Sequence, residues 1–183
     1  MNLQDSNVLQ LGTSGDLQVY HDGSNSVISN HTGVFFIDQD TNDGDMIFRC
    51  DDGSGSVTAY LTLDGSDGNI KVAQHMIFAD NKKAFFGGGA DLELYHDGNH
   101  SYISQGGTGN LYIQQNTDSA DLVLQCDNGS GGVTDYLALD GSQVTIRMKR
   151  QTKWDDSIKA TFGNGDDLQI YHDGSNSYID DTG

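Results

Sequence analysis

Apolar and polar positions alternate along this chain in short runs, each closed by a cluster of Gly, Asn, Asp or Ser. In DLQVYHDGSNSVI, from Asp16 to Ile28, Leu17 and Val19 alternate with Gln18 and Tyr20, and Val27-Ile28 follow the turn. A period of two over so few residues predicts a strand, and two such runs around Asp-Gly predict a β-hairpin. Gly takes positive φ without steric cost and Asp tolerates it, so a type I′ turn is expected at Asp22-Gly23. The phrase returns as DLELYHDGNHSYI from Asp91 and DLQIYHDGSNSYI from Asp167, which predicts the same turn at Asp97-Gly98 and Asp173-Gly174.

The spacing of these hairpins sets the organisation. His21, His96 and His172 lie 75 and 76 residues apart, so the chain reads as tandem antiparallel β repeats. Residues 1–11 are expected to end a preceding unit as a junction strand, 12–86 to form a first unit, 87–162 a second, and 163–183 to begin a third. The opening MNLQDSNVLQLG is in register with MIFADNKKAFFG (Met76 to Gly87) and TKWDDSIKATFG (Thr152 to Gly163), which suggests a piece of a longer array. After each hairpin comes a Thr-Gly turn (Thr32-Gly33, Thr108-Gly109), then a predicted strand, VFFIDQ from Val34 or NLYIQQ from Asn110. A polar turn, DMIFRCD or DLVLQCD, a Gly-Ser turn, and VTAYLTLDGS or VTDYLALDGS follow. The junction, NIKVAQHMIF or VTIRMKRQTKW, closes the unit. Roughly six or seven strands per unit are expected, and no window has a sustained helical period.

Each such strand offers about three inward apolar side chains, a meagre core for a unit of this size. Tyr20, Tyr95 and Tyr171 also fall on the hairpin face opposite Leu17, Leu92 and Leu168. Both faces then carry large side chains, and one needs a partner. Units stacking along an axis, or several chains wrapping together, would supply it.

Composition narrows the function. A net charge of −18 repels phosphate backbones and anionic headgroups, which argues against nucleic-acid or membrane-surface binding. No run approaches the roughly 18 apolar residues of a membrane helix, and MNLQDSNVLQLG has neither a basic start nor an apolar stretch of the secretory type. The two cysteines, Cys50 and Cys126, occupy matching places in successive units, which fits small buried residues and not a disulfide framework.

Candidate chemistry is sparse. His21, His96 and His172 each precede Asp-Gly, and three copies of one histidine around an axis would form an imidazole ring able to hold a transition metal. The bland reading is a structural turn: the Asp-Gly is explained by the hairpin, and no second ligand stands two residues on. DQDTNDGDM (Asp38 to Met46) spaces Asp38, Asp40 and Asn42 like an acidic calcium loop, but Asp43 and Arg49 stand where such a loop wants Gly and Glu. The second unit has QQNTDSADL instead, so a polar turn is the better reading. GGGADLELYHDGN (Gly87 to Asn99) shows no nine-residue recurrence. No nucleophile elbow, zinc-protease motif or phosphate loop is present. The expectation is a non-enzymatic chain with no catalytic residue and no cofactor.

The hairpin YHDGSNSYI and the strand-turn-strand YLTLDGSDGNI (Tyr60 to Ile70) resemble repeats of phage tail fibres and related virion appendages. The first is similar to a repeat of structural proteins in marine phages, the second to β-rich shafts that precede chaperone-tailed fibre tips. The resemblance covers nearly the whole chain. It implies an elongated all-β fibre of β-prism or β-solenoid type, a parallel homotrimer located in the virion and serving host attachment. It also implies self-association as the main partnership, with a host glycan or receptor as a further partner. No tip domain or glycan-cleaving motif is matched. Two other classes share these sequence features: a cellular, extracellular filament or adhesin polymerising from the same repeats, and a calcium- or glycan-binding β module of a larger secreted protein.

Overall fold

Each sheet of this protein joins three strands that follow one another along the chain. The computed structural model describes residues 3–181 and 183; Met1 and Asn2, the start of the predicted junction strand, and Thr182 lie outside the described residues. The first sheet is β1 (Val8–Leu11), β2 (Leu17–His21) and β3 (Ser26–Asn30), and the second is β4 (Met46–Asp51), β5 (Val57–Asp64) and β6 (Asn69–Val72). The third is β7 (Lys83–Phe86), β8 (Leu92–His96) and β9 (Ser101–Gln105), and the fourth is β10 (Leu122–Asp127), β11 (Val133–Asp140) and β12 (Thr145–Met148). The fifth is β13 (Ala160–Phe162), β14 (Leu168–His172) and β15 (Ser177–Asp181). The fold is all-β, and the pairings β1–β2–β3, β4–β5–β6, β10–β11–β12 and β13–β14–β15 are antiparallel. The chain divides into two units, Met1–Ala84 with Leu94–Ile103, and Phe85–Glu93 with Ser104–Gly183.

Register follows the apolar alternation, because a slip of one residue would turn each apolar set to the other face. In the second sheet Met46 pairs with Leu63 and Leu63 with Ile70, and Phe48 pairs with Leu61 and Leu61 with Val72. In the fourth sheet Leu122, Leu139 and Ile146 form the same row, as do Leu124, Leu137 and Met148. Both sheets carry a bulge at one place. The partner of Phe48 is Leu61 and that of Arg49 is Ala59, which leaves Tyr60 as the extra residue. Tyr136 is the extra residue in the fourth sheet. A bulge leaves its residue outside the ladder. Here the tyrosine hydroxyl is re-used: Tyr60 donates to the Asp51 carbonyl at 2.8 Å and Tyr136 to the Asp127 carbonyl at 3.0 Å.

Burial is where the chain departs from an ordinary domain. Among the described residues Ala138 is the one fully buried hydrophobic side chain, at 0% exposure. The chain exposes 14,630 Å², against about 8,600 Å² for a folded monomer of its mass by the usual size scaling. The difference is roughly 6,000 Å², and many large apolar side chains are exposed. In the first sheet Leu9, Val19 and Ile28 lie side by side and all three are exposed. Ile103 in β9 and Ile179 in β15, the residues that match Ile28, are exposed at 62% and 76%.

Three expectations need correction. The hairpin turn is not of type I′. Gly23, Gly98 and Gly174 have φ near +98°, but Asp22, Asp97 and Asp173 do not take positive φ. The strands close at His21–Ser26 and His172–Ser177, so the loop has four residues, and the Asp carboxylate organises it by accepting backbone N–H groups. The predicted strands at Val34 and Asn110 are absent: residues 34–39 and 110–115 pair with no strand of the described chain. Alternation marks a run as strand-like but cannot provide its neighbour. Cys50 and Cys126 are exposed, not buried, because among the described residues the strands of their sheets touch no strand beyond their ladder neighbours.

Candidate functional site

The recurrent hairpin is the best-defined polar constellation. The Asp22 carboxylate accepts the N–H groups of Ser24 at 2.8 Å and Asn25 at 2.7 Å, and the Asp22 N–H donates to the Asn25 carbonyl at 3.0 Å. Asp97 takes the N–H groups of Asn99 and His100, and Asp173 those of Ser175 and Asn176, all at 2.8 Å. Such bonds favour the ionised form. The Asn25, His100 and Asn176 N–H groups hold the three carboxyls below the usual carboxylate range. An Asx loop of this kind fixes chain reversal with a side chain in place of backbone bonds.

The three histidines end β2, β8 and β14, and each faces a serine across the hairpin. Nδ1 of His21, His96 and His172 lies 3.3, 3.1 and 3.2 Å from the hydroxyls of Ser26, Ser101 and Ser177. Within one chain the structure pairs each imidazole with a hydroxyl. Among the described residues no group of three His, Cys, Asp or Glu side chains is placed to hold a metal ion. Asp38 and Asp40 line an open concavity beside the second sheet, while Asn42 donates to Asp43 at 3.0 Å.

Beside the histidine runs a feature that the sequence reading missed. Lys83 stands 4.5 Å over the Tyr95 ring, and Tyr95 stacks on Tyr102 with centroids 4.7 Å apart. Lys159, Tyr171 and Tyr178 repeat this at 4.5 and 4.8 Å. In the first sheet Val8, Tyr20 and Val27 occupy one cross-strand row. Lysine and the second tyrosine therefore come and go together, a signal available from aligning the three copies. The hydroxyls of Tyr102 and Tyr178 also donate to Asp97 at 3.0 Å and Asp173 at 2.9 Å, tying each stack to its turn.

The second and fourth sheets carry a different site, a concavity of about 450 Å³ beside each. One is bounded by Ile37, Met46, Leu63 and Ile70, the other by Ile113, Leu122, Leu139 and Ile146. One wall is the turn after β5 or β11. Asp64 accepts from Lys71, from the Asp67 N–H at 2.8 Å and from the Ser66 hydroxyl at 2.8 Å, and lies far below the usual carboxylate range. Asp140 accepts from Ser142 at 2.8 Å, from the Gln143 N–H at 2.9 Å and from Arg147 at 3.0 Å, which brings it down to about 2. The opposite ion, Lys71, is pushed up to about 12 by Asp64 and Asp67. These contacts brace a turn. They present no nucleophile with a base beside it, and the chemistry on offer is apolar burial with an acidic rim. Among the described residues no helix is long and apolar enough to cross a membrane. No family model, curated protein or solved structure matches the chain.

Proposed function

We propose that this chain is a non-enzymatic structural fibre protein, the shaft of a phage tail fibre or comparable virion appendage, assembled as a parallel homotrimer that projects a host-attachment tip. The observation that carries this reading is the uncovered apolar surface. An excess of roughly 6,000 Å² per chain is several times the 800 Å² that one partner buries in a standard interface. Each chain in a closed trimer meets two neighbours, which suits a demand of that size. The resemblance of the YHDGSNSYI and YLTLDGSDGNI phrases to fibre repeats supplies the virion location. The work of such a shaft is mechanical. Every residue retains its backbone N–H, because the sequence contains no proline, and paired strands resist local opening. Exposed Tyr, Asn and Asp side chains offer weak lateral contacts to a host surface glycan.

The test is the native mass together with negative-stain images. A mass of three chains and slender rods are expected. A mass that grows with concentration supports the cellular filament instead, and a stable folded monomer overturns self-association altogether.

A further inference from the structure

Residues 34–39 and 110–115 stand apart from the rest of the chain. Both flank a sheet, yet among the described residues the backbone of neither makes a hydrogen bond to another backbone group. Backbone donors and acceptors that are to be buried require partners. Side-chain exposure alternates along both runs with the period of a strand. Val34 and Phe36 are each 74% exposed while Phe35 and Ile37 are at 45% and 58%; Tyr112 is 71% exposed while Leu111 and Ile113 are at 45% and 61%. The less exposed set includes Ile37 and Ile113, which line the apolar concavities of the adjoining sheets. The other set faces outward with nothing on it.

A second observation comes from the wall of the fourth-sheet concavity. Val144 has φ +54° and is 90% exposed. A β-branched residue in the left-handed region is an outlier that costs stability. Its counterpart after β5 is Gly68, at φ +64° and unstrained. Within one chain the strained, apolar and uncovered valine gains nothing.

We propose that the 34–39 and 110–115 segments are strands whose ladder partner is another copy of this chain, and that this copy also covers the concavities beside them and Val144. This rests on the self-association proposed above and names the surface that performs it. Three observations select a second copy over an unrelated protein. Segment 110–115 carries no charge and segment 34–39 carries one, Asp38, whereas most of the net −18 lies on turn carboxylates elsewhere, so like-charged chains meet here with little repulsion. The same kind of segment, beside the same kind of concavity, occurs twice at a spacing of 76 residues, from Ile37 to Ile113. A copy aligned in register presents both at once, which an unrelated partner would have to match. The uncovered area also calls for more than one neighbour per chain.

Hydrogen exchange read by mass spectrometry tests this on the unmodified protein, above and below its dissociation concentration. In the assembled protein the 34–39 and 110–115 amides should exchange about 100-fold more slowly than in the dissociated chain. Phe36→Asp combined with Tyr112→Asp should reduce the mass to one chain with its strand signal retained. Slow exchange of both segments in the assembly supports the proposal, whether the assembly is a trimer or a growing polymer. An assembly in which both segments exchange at the unprotected rate overturns this surface while leaving self-association standing. A folded monomer overturns both.

Discussion

The Nζ of Lys159 stands 4.5 Å from the centroid of the Tyr171 ring. That contact joins β14 to the residue just before β13, and the stack of Tyr171 on Tyr178 carries it on to β15. One row of side chains thus spans the sheet on the face away from Ile170 and Ile179. Cross-strand aromatic pairs contribute about 0.5–1.5 kcal/mol beyond their buried area, and an exposed cation over a ring about 0.5–1 kcal/mol. Tyr178→Val should therefore cost about 1 kcal/mol and Lys159→Val about 0.5 kcal/mol, read by urea unfolding at one fixed chain concentration. Val27 and Val8 already fill these places in the first sheet, so both variants should fold. A Tyr178→Val protein as stable as its parent would show that the stack contributes nothing.

The turn after β5 offers a clean measure of backbone strain. Nothing lies within 4 Å of a Cβ built on Gly68, whose φ is +64°. Gly68→Val should destabilise by about 1–2 kcal/mol through left-handed strain alone. Val144→Gly relieves the same strain in the fourth sheet but removes an apolar contact from the proposed surface. It should make the turn more stable while weakening assembly, seen as dissociation at a higher concentration in sedimentation. Weakened assembly without any gain in turn stability would contradict the strain assignment.

Gly141 tests close packing. A Cβ there would overlap the Ala120 carbonyl oxygen, and the Gly141 N–H donates to Asp121 at 3.1 Å. Backbone atoms cannot step aside as a side chain can, so Gly141→Ala should cost about 1–3 kcal/mol. Gly106→Ala, where a Cβ meets nothing within 4 Å and φ is not positive, is the control and should change stability by less than about 1 kcal/mol. Equal melting temperatures for the two variants would refute the clash.

Acid should act late on this protein. Asp22, Asp97, Asp173, Asp64 and Asp140 all have carboxyls lowered from the ordinary 3.8, Asp140 to about 2. A carboxyl depressed in the folded state stabilises it above the unfolded value, and that contribution fades as pH falls through the folded value. The strand signal in circular dichroism should thus hold from pH 7 to about 4 and decline between about 4 and 2. Asp140→Asn should lose the Arg147 pairing at neutral pH and show a shallower acid limb. A loss of structure centred well above pH 4 would contradict this.

Much of this was legible before any coordinates. The all-β class and the three hairpins follow from period-two alternation bounded by small polar residues, and Leu17 and Tyr20 lie on opposite faces as expected. Less legible were features decided by atoms that are not neighbours in sequence. The Asp22 side chain takes over the turn because two N–H groups converge on it, which a dipeptide rule cannot foresee. The bulges at Tyr60 and Tyr136 interrupt an alternation that looks perfect on paper. Val34 to Gln39 look like a strand because they carry a strand's side chains, and only the ladder tells whether a neighbour is present. Cys50 was misjudged for the same reason, since burial belongs to an assembly and not to a residue type.

The strand order itself has a kinetic consequence. Every sheet is a meander with no crossover, and β5 reaches β6 through only Gly65, Ser66, Asp67 and Gly68. Loops this short close in well under a microsecond, and hairpins follow within microseconds. Contacts local in sequence are the kind that fold fast. On the surface proposed here, the slow event is the meeting of chains whose sheets are already drawn but whose apolar rows are still wet. Refolding should therefore be limited by encounter, its half-time shortening as chains are added, and at low dilution the open sheet edges are where misassembly would begin.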